Sequence, residues 1–278
     1  MGKQIQIQRA QRFLALHDRN RVLLLPNAWD AGSARLFADL GFDAVATTSA
    51  GVAWALGYPD GEYAPLDETL AVIRRIVRVT PLPVSVAFEA GYGDSPEAVA
   101  ANVRRLIDTG AVGLNLEDGV RHEHLREIDD AARRVAAARQ AAVEAGVPIV
   151  INARVDTWMV GGNDEAARID EALRRARAYL EAGADCIYPI GLSNPQVIGR
   201  LCAEIDAPVN VGVRPGLPSL DELGRLGVAR VSTATRLATV AFSAAYDAAK
   251  RLQSSGRFDG LDSTLAYGNI QGLFTNSG

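Results

Sequence analysis

Short apolar runs alternate with long amphipathic stretches along almost the whole chain, and this alternation limits its fold more than any other feature. The runs are residues 22–26, 43–48, 84–89, 112–117, 148–152, 185–189, 207–211 and 229–233. Each is too short for a helix and largely apolar on both faces, as strands covered on both sides are. Between them, 95–109, 127–146, 164–182 and 195–204 carry apolar residues at three- and four-residue spacing, which predicts helices. Asn163, Asn194 and Ser219 are predicted N-caps. Pro195 follows Asn194 at the first helical position, and Glu222 stands three residues after Ser219, as in a capping box. Gly110, Gly146 and Gly183 fall where helix C-termini need a left-handed residue. The alternation implies a parallel sheet covered by helices. Eight such units in 278 residues fit a closed (β/α)8 barrel over 1–253 better than an open doubly wound sheet. No Gly-x-Gly-x-x-Gly follows the first run, which removes the main support for a dinucleotide fold.

Composition closes off several function classes. A formal charge of −4, with no Lys/Arg cluster, argues against nucleic acid as a partner. Cys186 and Cys202 are the only cysteines, so neither a disulfide framework nor a paired-cysteine metal site is indicated. The first residues lack the apolar core of a signal peptide. No apolar run approaches the ~18 residues of a membrane span. The expectation is a cytoplasmic protein without membrane partners.

In a barrel of this kind chemistry belongs at the C-terminal ends of the strands. Those ends carry Asn27 and Asp30, Thr48 and Ser49, Glu89, Glu117, Asn152 with Arg154 and Asp156, Tyr188, Asn210, and Thr233 with Arg236. Asn27, Asp30, Asp156 and Thr233 read as caps or turn formers. Glu89, Glu117 and Arg154 read as functional, because alternation puts them on one face with Ser85 and Ala87, Asn115 and Asn152 respectively. Two strand ends thus each deliver a carboxylate just before a glycine. Buried carboxylates are costly unless they meet a cation, a donor network or a metal. The pattern points to a site for Mg²⁺ and an anionic small-molecule substrate.

Five stretches in order resemble the isocitrate lyase/phosphoenolpyruvate mutase superfamily: Pro26 to Ala31; Thr47 to Gly51 with Gly57 to Gly61; Glu89 to Gly93; Asn115 to Gly119; and Ile151 to Arg154. The resemblance implies a (β/α)8 barrel that forms homotetramers by exchanging a C-terminal helix. It implies Mg²⁺ and the breaking or making of a C–C or P–C bond beside a carboxylate-bearing carbon. The backbone of Thr48, Ser49, Ala50 and Gly51 would cradle the substrate carboxylate, and Arg154 would bind its oxygens. Asp60 would approach metal and substrate, Glu89 and Glu117 would hold the metal largely through water, and Asn210 would lie at the distal side. A lyase or decarboxylase acting on an oxaloacetate-like diacid through an enolate is the favoured expectation. A catalytically silent α-ketoacid-binding protein and a phosphonate mutase are the alternatives.

Two departures qualify that pattern. The family's direct metal ligand is an Asp two residues before Glu89, and here that position is Ala87. The lyase lid after the fourth strand, Lys-Lys-Cys-Gly-His, is replaced by Gly119 to Leu125, where His122 is a candidate acid or base and His124 reads as a solvated loop residue. Elsewhere Trp54 and the cysteines read as packing, and His17 as surface or core filler. Arg133-Arg134 and Arg174-Arg175-Ala176-Arg177 read as solvated helix faces. Residues 254–278 read as a linker and an apolar-flecked tail that packs on a neighbouring subunit.

Overall fold

The structure, a computed structural model, describes residues 2–121, 123–258 and 261–275. Its strands are β1 (Leu23–Leu25), β2 (Asn27–Ala28), β3 (Val45–Thr47), β4 (Val84–Ala87), β5 (Gly113–Glu117), β6 (Gly119–Val120), β7 (His124–Leu125), β8 (Val150–Val155), β9 (Cys186–Pro189), β10 (Asn210–Gly212) and β11 (Arg230–Ser232). Its helices are α1 (Lys3–Ala15), α2 (Ala31–Asp39), α3 (Ser49–Leu56), α4 (Leu66–Val79), α5 (Pro96–Ile107), α6 (Ile128–Ala145), α7 (Thr157–Val160), α8 (Glu165–Glu181), α9 (Pro195–Glu204), α10 (Leu220–Arg225), α11 (Arg236–Ser255) and α12 (Tyr267–Thr275). All eight expected strands are present, mostly a residue or two shorter. The hairpin β6–β7 was not expected from the sequence; it forms where a lid loop was.

Six parallel strands run in the order β2-β3-β4-β5-β8-β9, and three more in the order β1-β11-β10. Two joins make them one ring. Pro26 separates β1 from β2, yet the Leu25 carbonyl accepts from Thr233 and the Pro26 carbonyl from Ala46, so a single stretch of chain passes from one sheet to the other. On the far side Ile187 bridges Val209 in parallel. The arrangement is the expected (β/α)8 barrel.

Helix ends follow the local chemistry. Asn194 and Ser219 cap α9 and α10, the latter in a reciprocal capping box with Glu222. At α8 the cap is Asp164 rather than Asn163: its carboxylate accepts from the amides of Ala166 and Ala167. An ionised oxygen at an N-terminus outcompetes the neutral amide beside it. Gly146 ends α6 with φ 63°, as its position requires.

Outward-facing Val86, Leu114, Ile151 and Val231 join Ile73, Leu106, Val135, Leu173 and Ile198 of the helices in one buried core. Burying each such side chain contributes about 1.5–3 kcal/mol. Many inward-facing residues are of a different kind: Ser85, Asn115, Asn152, Cys186, Asn210, Arg230 and Ser232, all buried. Barrels of this class usually fill the interior with branched apolar side chains. Two helix arginines are also buried, contrary to the solvated faces expected for them. Arg134 donates to the carbonyls of Gly93 and Asp94, and Arg175 to Asp118. Spacing on a helix does not reveal that a long side chain has been drawn inward to a distant carbonyl. Helix α11 continues two residues past the expected boundary at 253, and the tail returns to its own barrel, where Arg35 Nε donates to the Leu273 carbonyl at 2.6 Å.

Candidate active site

Glu89 stands two residues beyond β4, with φ 46°, and Tyr92 beside it has φ 54°. Across the cavity Glu62 has φ 63°. Such angles are uncommon for residues with a side chain. The three interlock: the Tyr92 amide donates to Glu62 Oε1 at 2.6 Å, and the Tyr92 hydroxyl to Glu89 Oε1 at 3.1 Å. Glu89 Oε2 is buried with no hydrogen-bond partner. Burial, then the charges of Asp60 and Glu62, push the Glu89 carboxyl up to about 7. Gly91, at φ +96°, lets α5 close in; a Cβ there would lie 2.9 Å from both methyl groups of Val99.

Glu117, the last residue of β5, faces Arg154 of β8 in the next strand, and their side chains form an ion pair. The guanidinium is held on its other edge by Asp156, Nε to Oδ1 and Nη2 to Oδ2, each 2.7 Å. Both carboxylates raise the Arg154 pKa further above its ordinary value, outweighing burial. Three of its five N–H groups are so occupied, leaving two for a ligand. Asp156 is positioned in turn by Asp118, which accepts from the Asp156 amide at 2.9 Å, from Tyr179 at 2.7 Å and from Arg175 at 3.0 Å. Burial and the neighbouring Asp156 charge push the Asp118 carboxyl up against those donors.

Thr48 caps α3, accepting from the Gly51 amide. The Ser49 and Ala50 amides, in the first turn, have no partner within the helix. Gly51 is confined: a Cβ there would come within 2.6 Å of Thr48 and 2.8 Å of Trp29. This turn can therefore take an anion, as helix N-termini do.

Glu89 and Glu117 line one cavity of about 220 Å³ with Glu62, Arg121 and Arg126, and Arg154 joins it through Glu117. Asp60 sits close enough to bear on Glu89. Asn210 is buried in the barrel interior beside Ser232, at 3.4 Å. Asn27 and Thr233 bond each other at the seam of the ring, and Asp30 caps α2, as expected of structural residues. Asp156 was expected to be structural and is instead part of the arginine clamp. His124 is exposed on β7, and His122 lies outside the described residues. Trp54 is half exposed and meets Phe242 edge-on. Three contributors were missed. Glu62 lies one residue beyond a quoted stretch. The Tyr92 hydroxyl lies inside one. The Asp118–Arg175–Tyr179 brace had no signal beyond Asp118 following Glu117.

The donor set suits a hydrated divalent cation more than a caged one. Glu89 offers an unpartnered buried oxygen, and hard ions such as Mg²⁺ retain several waters. Position 87 offers only a methyl group, and among the described residues no group of three or more His, Cys, Asp or Glu converges to enclose an ion.

A family model for phosphoenolpyruvate phosphomutase matches residues 13–253. The chain belongs to that family. It is therefore a member of the isocitrate lyase/phosphoenolpyruvate mutase superfamily, whose members are lyases or mutases. A candidate lyase/mutase from Burkholderia cenocepacia superposes with TM-score 0.90 at 38% identity, covering 98% of each chain. The 2-methylisocitrate lyase of Salmonella typhimurium is 32% identical over 72% of this family member and 68% of its own length. The oxaloacetate decarboxylase of Ectopseudomonas mendocina is 30% identical over 84% and 81%.

Proposed function

We propose that the protein is a Mg²⁺-dependent carbon–carbon lyase or decarboxylase acting on a small α-oxo or α-hydroxy dicarboxylate. The observation that carries this reading is Arg154, clamped by Asp156 and ion-paired with Glu117, a residue that lines one cavity with Glu89. The first turn of α3 would take one substrate carboxylate, with the Ser49 and Ala50 amides as donors. Arg154 would bind the oxygen on which charge develops as the bond breaks. It is pre-oriented by Asp156 and Glu117, so little reorganisation is needed at that moment. Glu89 and Glu117 would hold the metal through water, and the ion would add positive charge where the enolate oxygen forms. Glu89 is poised to keep or release a proton near neutrality, and a cation beside it would favour the ionised form.

Ala87 supports a second reading, in which the cradle and Arg154 bind an α-ketoacid without turning it over. One assay separates the two: pyruvate or CO₂ release from a panel of oxo- and hydroxy-diacids, with and without Mg²⁺. Release that needs the metal and is lost in Arg154→Ala supports the enzyme. Saturable binding without turnover supports the silent reading. Self-association through the exposed apolar side of α11 and the tail, where Val240, Tyr246, Tyr267 and Ile270 face solvent, is part of the same proposal.

A further inference from the structure

The lower half of the barrel holds a cation that no carboxylate answers. Arg230 opens β11 and is fully buried. It sits on the level of Asn210, one inward-facing layer below Ser232. Its Nη2 reaches across the interior to Asn115 Oδ1 on β5 at 3.3 Å. Its Nη1 lies 3.5 Å from His17 Nε2, and its guanidinium lies 5.7 Å from the centre of the Phe13 ring. Its Nε has no partner.

Every neighbour is neutral. His17 Nδ1 lies 2.8 Å from the Phe13 carbonyl, which can only accept, so Nδ1 carries the proton and Nε2 turns a lone pair to Arg230. Burial and the Arg230 charge hold that imidazole down to about 4. Burial pushes the Cys186 thiol up to about 12, and the Tyr188 phenol is raised in the same way. No described Asp or Glu makes an ion pair with Arg230; the only charges that would favour its own are those of Cys186 and Tyr188, were they ionised. A guanidinium cannot shed its proton instead. An ion buried alone costs several kcal/mol even after relaxation.

The same interior holds further unmet polar atoms. Ser85 Oγ and Asn152 Oδ1 are buried without partners, though Asn152 Nδ2 donates to Asn115. Ser85 and Phe13 both border Gly113, whose Cβ would lie 3.1 Å from Ser85 Oγ and 2.7 Å from the Phe13 ring. The Ser85 hydroxyl and the Phe13 ring that lies against the guanidinium thus flank the same glycine.

We propose that the barrel interior at Arg230 binds one small monovalent anion of halide size, held by Arg230 with the Ser85 hydroxyl as a second donor, separate from the substrate mouth. A water beside it would supply the donor that Asn152 Oδ1 requires. Crystals grown without halide and soaked in bromide are expected to show an anomalous peak next to Arg230. In solution, chloride replacing gluconate at fixed ionic strength is expected to raise Tm by about 3–5 °C per tenfold increase once above Kd. Arg230→Met is expected to abolish that dependence. Absence of a bromide peak together with chloride-independent unfolding overturns the proposal. So does a thiolate absorption at neutral pH that disappears in Cys186→Ala, because sulfur would then supply the charge. If Arg230→Met does not fold, the bromide peak and the chloride dependence of the parent protein decide the matter.

Discussion

Replacing Arg175 by Met tests the brace beneath the candidate site. Met keeps most of the volume of the buried stem and removes the charge that answers Asp118. The Arg175 side chain is 5% exposed and that of Asp118 is 1% exposed, so water cannot replace the lost partner. Removing one member of a buried pair costs about 3–5 kcal/mol. Asp118 would keep Tyr179 and the Asp156 amide, which places the expected loss at the lower end. For a chain of this size each kcal/mol moves Tm by about 2–4 °C, so a fall of roughly 6–12 °C is expected. Urea and thermal unfolding followed by circular dichroism measure it. Asp118→Asn with Arg175→Met should be less damaging than the sum of the single changes, because neither charge is then left alone. A loss under about 1 kcal/mol for Arg175→Met, or strict additivity, would refute the buried-pair argument.

Other consequences can be measured independently. Glu89 ionises at about 7 when folded against 4.5 in an unfolded chain, so the unfolded state releases its proton first and stability falls as pH rises between those values. Glu89→Gln should therefore match the metal-free parent below about pH 4 and exceed it by about 3 kcal/mol above about pH 8; equal stability at both ends would contradict the assigned burial. Arg154→Lys keeps a charge but cannot span Asp156 and Glu117 together, and a drop in kcat/KM of about 10²-fold or more is expected. Ala87→Asp should tighten Mg²⁺ binding in calorimetric titration, and an unchanged isotherm would reject the water-mediated account of Glu89 and Glu117.

Much of the fold was legible in the sequence because strand–helix alternation is local and repeated, so each segment announces its own type. The candidate site was legible to the extent that strand ends carry it: Glu89 and Glu117 line one cavity, and Arg154 pairs with Glu117. What was not legible depends on distance. Arg134 and Arg175 looked like solvated helix residues, since nothing in a helix repeat shows that carbonyls of Gly93 and Asp94, or the carboxylate of Asp118, wait within reach. Asp156 looked like a turn former because its partner is two residues away along the chain and bonds it by side chain. Arg230 was not singled out in the sequence, and only the ring shows that it is buried inside.

On the proposed function, the left-handed backbones at Glu62, Glu89 and Tyr92 set stability and turnover against each other in this corner of the protein. Each such conformation costs on the order of 1–3 kcal/mol, a sizeable share of what holds a domain together. Glycine at any of the three would relax the chain and discard a carboxylate or phenol from the mouth. Selection for heat resistance alone would therefore drift toward glycine here and yield sturdier, idle variants.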